Sequence, residues 1–173
     1  LSGHTVLGQD DAGLDVEVEE TGSSFAENAL LKARAIAALT DGAVLADDSG
    51  LEVDALGGAP GIYTARYAGE GASDAERMQK LLSELDGVPD NERTARFVCV
   101  MALVLPDGTA NTFEGVCSGQ IAHAPRGENG FGYDPIFLLP DRGKTLAELP
   151  SDEKNTISHR FRALEQVAAF LQS

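Results

Sequence analysis

Two adjacent carboxylates, Asp47 and Asp48, follow a short apolar run at residues 43–46 and precede a Ser-Gly pair. Because Asp is depleted within strands, the pattern predicts a buried strand that ends at this pair. A turn after Asp48 would bring both side chains toward one point, where like charges repel unless a cation lies between them. Ligands bind at the carboxyl ends of strands in open α/β sheets. For the tetrapeptide by itself, ordinary turn chemistry is the favoured explanation.

A glycine-rich segment at residues 126–135 places Phe131 and Tyr133 between glycines and ends near Asp134. Glycine lets a flat ligand approach the backbone, and an aromatic ring can stack on a nucleobase for about 1–3 kcal/mol. The segment is not a Gly-x-Gly-x-x-Gly fingerprint, and the chain has no Walker-type Gly-Lys-Ser/Thr motif. A plain glycine-rich loop with an anchoring aromatic residue is the alternative.

A third cluster concentrates hydrogen-bond donors near the start of the last predicted helix, at Lys154, His159 and Arg160. Relative to Ile157, which begins the apolar stripe of that helix, His159 is predicted to lie about 200° round the axis, off the core face. The alternative to a binding cluster is therefore a solvent-exposed helical surface.

Helices are predicted from their caps. Ser24-x-x-Glu27 and Ser73-x-x-Glu76 are capping boxes, and each precedes a run of helix-forming residues. As a capping residue, Glu27 should turn its carboxylate back to the start of its helix, which gives it a complete structural role. The last helix has an apolar stripe from Ile157 to Leu171.

Strands are predicted from apolar runs and alternation. Phe97–Leu105 is a run of apolar residues, which favours a central strand covered on both faces. Pro106–Thr109 predicts a hairpin turn, with a returning strand that reaches Ile121. Leu14–Glu19 alternates with a period of two, which predicts a half-exposed strand. The sequence therefore predicts an α/β fold, a single domain over residues 1–173 with a central mixed β-sheet flanked by helices.

Composition restricts the partners. The chain has 173 residues and a net charge of −15, which opposes binding to nucleic acid or to an anionic membrane. A small anion held with Mg²⁺ in a local basic pocket remains compatible with that charge. No run of 18 apolar residues and no signal peptide is evident, and Cys99 and Cys117 fit neither a metal spacing nor a disulfide framework. We therefore expect a cytoplasmic protein with buried thiols.

Five motifs stand in one order along the chain. They are residues 23–29, 46–51, 57–67, 130–135 and 157–160. This series closely resembles the inosine triphosphate pyrophosphatase family, which hydrolyses aberrant purine nucleoside triphosphates. The resemblance implies an elongated α/β domain with an active-site cleft between two lobes. It also implies Mg²⁺ dependence, homodimerisation, and cleavage to a monophosphate and pyrophosphate.

The same resemblance assigns roles to individual residues. Glu27 and Asp48 match the family's metal-binding carboxylates, with Asp47 beside them, and Asp48 also matches the proton acceptor. The positions that match substrate contacts are Ser49, Phe131, Gly132, Tyr133, Asp134, Lys154, His159 and Arg160. The family begins with a strand, a phosphate-binding Ser/Thr-x-Asn-x-x-Lys loop and a helix, about 20 residues in all. This chain lacks them, so we expect its phosphate-binding segment to be missing.

The chemistry agrees with these roles. Mg²⁺ usually takes one or two carboxylates together with phosphates and waters, and Asp48 can act as the base for a water that attacks the α-phosphorus. Lys154, His159 and Arg160 can donate to the O6 and N7 acceptors of a 6-oxopurine, and Asp134 can accept from its N1–H.

Two alternatives to a pyrophosphatase remain. A nucleotide sensor without turnover would use the same base pocket, and the missing phosphate loop favours it. A glycosidase would use paired carboxylates, but adjacent Asp47 and Asp48 have no reason to stand at the spacing that flanks a sugar bond. For the homodimer, Tyr63 and Tyr67 beside the loop at residues 57–61 are candidate interface anchors.

Overall fold

The computed structural model describes residue 1 and residues 3–173. Its helices are α1 (Phe25–Ala37), α2 (Asp74–Glu84), α3 (Ser151–Asn155) and α4 (His159–Leu171). Its strands are β1 (Val44–Val53), β2 (Thr94–Val104), β3 (Ala110–Ile121), β4 (Phe137–Leu139) and β5 (Lys144–Thr145). Short 3-10 helices occupy residues 54–56, 61–66, 90–92, 134–136 and 146–148.

The five strands form one sheet in the order β1-β2-β3-β4-β5, and all four pairings are antiparallel. The α/β domain is confirmed, but the sheet is antiparallel rather than mixed. Val53 pairs with Ala95, so the connection at residues 54–93 begins and ends at the same end of the sheet. A parallel pair would need a connection that crosses the sheet to its other end. The predicted hairpin between β2 and β3 is present, with Val104 paired to Ala110.

Strand β1 continues through the two aspartates. Asp47 pairs with Met101 and Gly50 with Val98, so residues 47–50 lie inside the strand and the predicted turn is wrong. The strand stands first in the order of the sheet, and edge strands tolerate polar side chains that central strands exclude. The predicted strand at Leu14–Glu19 has no regular secondary structure, although the burial of its side chains does alternate.

Strand β2 is the centre of the core, as its apolar run predicts. On one face, Phe25 and Ala29 of α1 pack with Val98 and Val100. On the other face, α4 covers Cys99 and Met101 with its buried residues Ala163 and Val167. Helix α4 also lies close to β3 at Gly115, where an added Cβ would stand 2.1 Å from the carbonyl oxygen of His159. Backbone contact at this glycine therefore fixes the beginning of α4.

No helix in the described part of the chain combines the length and the apolar character that a membrane crossing requires.

Candidate active site

Asp47 and Asp48 project from opposite faces of β1, because successive side chains of a strand alternate. On the α4 face, Asp47 Oδ2 accepts hydrogen bonds from Arg160 Nε at 3.1 Å and from Arg160 Nη2 at 2.9 Å. On the α1 face, Asp48 Oδ1 lies 3.5 Å from Lys32 Nζ. The prediction that the two carboxylates converge is therefore wrong. The prediction ended the strand at Asp48, whereas pairing with β2 continues the strand beyond this residue.

A cluster of one lysine and two carboxylates lies on the α1 face. Lys32 Nζ is 2.8 Å from Glu20 Oε1 and 3.5 Å from Asp48 Oδ1. Burial raises the pKa of Asp48, although Lys32 opposes the shift. Burial also acts against the charge of Lys32, but the hydrogen bond to Glu20 and the charge of Asp48 outweigh it and raise that pKa. Asp48 Oδ2 is buried and has no hydrogen-bond partner among the described residues, so it is available to a water or an ion.

Glu27 serves as a capping residue. Its carboxylate accepts from Ser23 N at 2.6 Å and from Ser23 Oγ at 2.8 Å, and these bonds lower its pKa. Ser24 is the N-cap of α1, as predicted, but Glu27 bonds to Ser23 rather than to the Ser24 amide, so the predicted capping box is incomplete. The charges that act on Asp48 include those of Lys32 and Glu20. Within residue 1 and residues 3–173, no group of three or more His, Cys, Asp or Glu side chains is arranged to hold a metal ion.

A cavity of about 230 Å³ lies on the α4 face of β1. It is bounded by α4, the 3-10 helix at residues 61–66 and the loop at residues 130–134. The eight predicted substrate contacts all line this cavity. Its further lining residues are Gly50, Thr64, Ala65, Asp74, Arg77 and Phe97. Positions that are far apart in the sequence thus meet around one space.

Lys154 of α3 and Asp134 of the glycine-rich loop present a donor and an acceptor side by side. Lys154 and Asp134 form a largely buried ion pair, and Asp134 Oδ2 also accepts from Phe131 N at 3.0 Å. Lys154 Nζ lies 4.6 Å from the centre of the Phe131 ring, and Phe131 is 67% exposed. Gly130 has φ +74°, and a Cβ there would stand 2.1 Å from Asp134 Oδ2. Only glycine therefore allows this arrangement of the loop.

His159 is an internal residue of the cavity wall, so the predicted off-core position is wrong. Its ring stacks on Phe97 with centroids 5.0 Å apart and an interplanar angle of 15°. Burial lowers its pKa to about 4, and the charges of Arg160 and Lys154 act in the same direction. The predicted angle assumed that Ile157 belongs to the helix, whereas α4 begins at His159 with Ser158 as its N-cap. Lys154 correspondingly lies in the separate helix α3.

Four charged residues near these sites were not predicted: Glu20, Lys32, Asp74 and Arg77. Lys32 had a signal in the sequence, because it falls on the helical face shared by Phe25, Ala29 and Ala33, where an apolar residue is expected. Asp74 had none, since an acidic residue in the first turn of a helix is ordinary. In the structure, Asp74 Oδ2 accepts from Gly132 N at 2.8 Å.

Comparison with known proteins places the chain among close relatives. The model of the Ham1 family matches residues 2–170. A dITP/XTP pyrophosphatase of Bacillus subtilis strain 168 is 51% identical over 99% of this chain and 86% of the relative. Another from Geobacillus kaustophilus is 59% identical over 87% of this chain and 74% of the relative. The structure of the Staphylococcus aureus Ham1 protein has a TM-score of 0.89 and 50% identity, and covers 95% of this chain and 84% of its own. The resemblance found in the sequence is thus confirmed, and the chain belongs to the Ham1 family.

Proposed function

We propose that this protein hydrolyses non-standard purine nucleoside triphosphates (ITP, dITP and XTP) to the monophosphate and pyrophosphate, and so removes them from the nucleotide pool. The names of its relatives, dITP/XTP pyrophosphatases, support this substrate class. The observation that carries the proposal is the cavity on the α4 face, where the eight predicted substrate contacts meet.

The ion pair at the base of the glycine-rich loop suits a 6-oxopurine. Such a base presents an acceptor, O6, next to a donor, N1–H, whereas adenine presents a donor next to an acceptor. Lys154 can donate to O6 while Asp134 accepts from N1–H, and the two are already in contact. Adenine would place its amino group against the donor Lys154 and its N1 acceptor against the acceptor Asp134. These buried polar groups would then lack hydrogen-bond partners, which lowers the affinity for adenine. The exposed ring of Phe131 is available to stack on the base.

The reacting end of the substrate belongs near Asp48. Ser49 faces the cavity on the α4 side and Asp48 faces α1, and these residues are neighbours in β1. A nucleotide that contacts Ser49 therefore has its phosphates close to Asp48. Asp48 has a raised pKa and a buried oxygen without a partner among the described residues, which are the properties of a general base that takes a proton from the attacking water.

We propose Mg²⁺ as the cofactor, held by Asp48 together with a second carboxylate, Glu27 or Glu20. The fit is favourable because one cation, the Lys32 ammonium, already contacts both Asp48 and Glu20. Mg²⁺ needs no more than one or two carboxylates when phosphates and waters complete its coordination, and when bound it neutralises charge on the phosphates. Lys32 would then be available to bind a phosphate oxygen.

The assembly that we propose is a homodimer in the cytoplasm. Tyr63 is 54% exposed and is the better anchor, because the hydroxyl of Tyr67 is hydrogen-bonded to Glu84 within the chain.

Cys99 and Cys117 are free, buried thiols, which suits a reducing compartment. Light scattering that gives a monomer at micromolar concentration would exclude the dimer, and recovery outside the cytosolic fraction would exclude the location.

The test is pyrophosphate release from ITP, dITP, XTP and ATP with Mg²⁺. We expect the first three to be preferred over ATP, and we expect Asp48→Asn to lower kcat by at least about 100-fold. Loss of turnover in Glu27→Gln but not in Glu20→Gln would assign Glu27 to the metal, and the reverse result would assign Glu20. Binding of ITP without turnover would favour a nucleotide sensor, and full activity in excess chelator would exclude the metal.

A further inference from the structure

The loop that carries Phe131 contains two conformationally permissive glycines. Gly130 and Gly132 flank Phe131, and both have positive φ, +74° and +62°. Such glycines are conformationally permissive, so their backbone must be held by contacts if Phe131 is to have a defined position. Within the loop, Phe131 N donates to Asp134 Oδ2 at 3.0 Å. A second contact comes from a residue 58 positions away, where Gly132 N donates to Asp74 Oδ2 at 2.8 Å.

Asp74 is itself well fixed. It is the first residue of α2 and directly follows the N-cap Ser73. Its other oxygen, Oδ1, accepts from Arg77 Nη2 at 2.5 Å. Arg77 is anchored in turn, because its Nη1 donates to the carbonyl oxygens of Ala65 and Ala72, each at 2.7 Å. The hydrogen bonds from Arg77 and Gly132 lower the pKa of Asp74, so it stays ionised at neutral pH.

On the premise of the proposed function, we propose that Asp74 is a positioning residue for base binding, which holds the Phe131–Gly132 backbone in place through the Gly132 amide. Both Asp74 and Arg77 line the same cavity as Phe131 and Lys154. A base that stacks on Phe131 then meets a loop that is already ordered, so less conformational entropy is lost on binding. The residue touches no reacting atom, so its contribution belongs to substrate binding rather than to the chemical step.

The test compares Asp74→Ala with Glu76→Ala, which removes a capping carboxylate from the same helical turn without contact to the loop. For Asp74→Ala we expect KM for ITP to rise about tenfold, the equivalent of one charge-assisted hydrogen bond, with kcat within about twofold of the parent. Asp74→Asn should recover part of the loss, because its amide oxygen can still accept from Gly132 N. Glu76→Ala should leave both constants near those of the parent.

Hydrogen–deuterium exchange gives a second readout that does not depend on turnover. Amides at residues 130–134 should exchange faster in Asp74→Ala and at the parent rate in Glu76→Ala. Unchanged exchange in Asp74→Ala, a fall in kcat at constant KM, or an equal effect of Glu76→Ala would each overturn the positioning role. If the parent protein does not hydrolyse ITP, the proposed function fails, while the exchange comparison still decides whether Asp74 orders the loop.

Discussion

At the scale of single residues, Arg160 lines the cavity on the α4 face of β1 and is held there by its neighbours. Its guanidinium donates to Asp47 Oδ2, and its Nη2 lies 3.3 Å from Ser49 Oγ. Asp47 therefore orients the arginine, and the adjacent Asp48 is left to the opposite face. The two neighbouring aspartates have different partners because side chains alternate between the two faces of a strand.

Replacing Arg160 with alanine should change selectivity more than overall activity. If its guanidinium donates to the 6-oxo edge, its loss should cost about 1.5–3 kcal/mol for ITP, or one to two decades in kcat/KM. Residual hydrolysis of ATP should fall much less. The measurement is the ratio of the two kcat/KM values, with Arg162→Ala as a control, since Arg162 lies on the same helix and donates to the carbonyl oxygen of Val116. An unchanged ratio with both values reduced would mean that Arg160 binds phosphate.

His159 should make the protein less stable in mild acid. Its pKa falls from 6.5 to about 4 through burial, aided by Arg160 and Lys154. Between these values the unfolded chain binds a proton that the folded protein does not, so the free energy of unfolding decreases as the pH falls through this window. The full effect is about 3 kcal/mol.

The check is denaturant unfolding of the parent and of His159→Phe from pH 7 to pH 4. Phenylalanine keeps a ring against Phe97 and removes the titrating group. The variant should lose less stability than the parent over this range. Parallel pH profiles for the two proteins would show that His159 does not titrate with a lowered pKa.

At the scale of the elements, local signals predicted the starts of α1 and α2 and the hairpin, whereas long-range pairing decided the course of β1 and the direction of the strands. Ser24 and Ser73 are N-caps as expected, because a cap depends on residues within one turn. The path of β1 through Asp47 and Asp48 depends on its ladder with β2, some fifty positions later, which no local pattern contains. The same holds for the direction of β2, which makes the sheet antiparallel.

The contact of α4 with β3 gives a prediction at this scale. An added Cβ at Gly115 would lie 2.1 Å from His159 O and 2.4 Å from Ala163 N, so Gly115→Ala must push the start of α4 outward. We expect a loss of about 1–3 kcal/mol in the free energy of unfolding, and a lower kcat/KM because His159 and Arg160 move with the helix. Urea denaturation and steady-state kinetics measure both.

Gly42→Ala is the matched control, since its Cβ would meet only Thr40 Oγ1, at 3.6 Å. Its stability and activity should stay near those of the parent. If Gly115→Ala behaves in the same way, the packing of α4 on β3 does not fix the cavity wall.

At the scale of the whole molecule, the sequence predicted the residues of the base cavity better than those of the carboxylate cluster. The eight predicted substrate contacts came from motifs that stand in one order along the chain, and all eight line one cavity. Glu20 and Lys32 were missed because the ion pairs that join Glu20 to Lys32 and Lys32 to Asp48 link an irregular segment, a helix and a strand. Asp74 was missed for the same reason, as its partner is a backbone amide of a distant loop.

The net charge of −15 makes the position of the basic groups important. A triphosphate is repelled by the molecule as a whole, so binding requires local positive charge. Arg77, Lys154 and Arg160 line the base cavity, and Lys32 lies beside Asp48 on the other face of β1. The account therefore requires the base on one side of the edge strand and the reacting phosphate on the other.

The most direct test of this account is hydrolysis of ITP in ¹⁸O-labelled water with Mg²⁺. Attack at the α-phosphorus forms the new P–O bond in the monophosphate, and the bond from the α-phosphorus to the bridging oxygen breaks, so that this oxygen leaves with pyrophosphate. We therefore predict by mass spectrometry one labelled oxygen in inosine monophosphate and none in pyrophosphate. Label in pyrophosphate, or labelled inorganic phosphate as the first product, would contradict the proposed reaction.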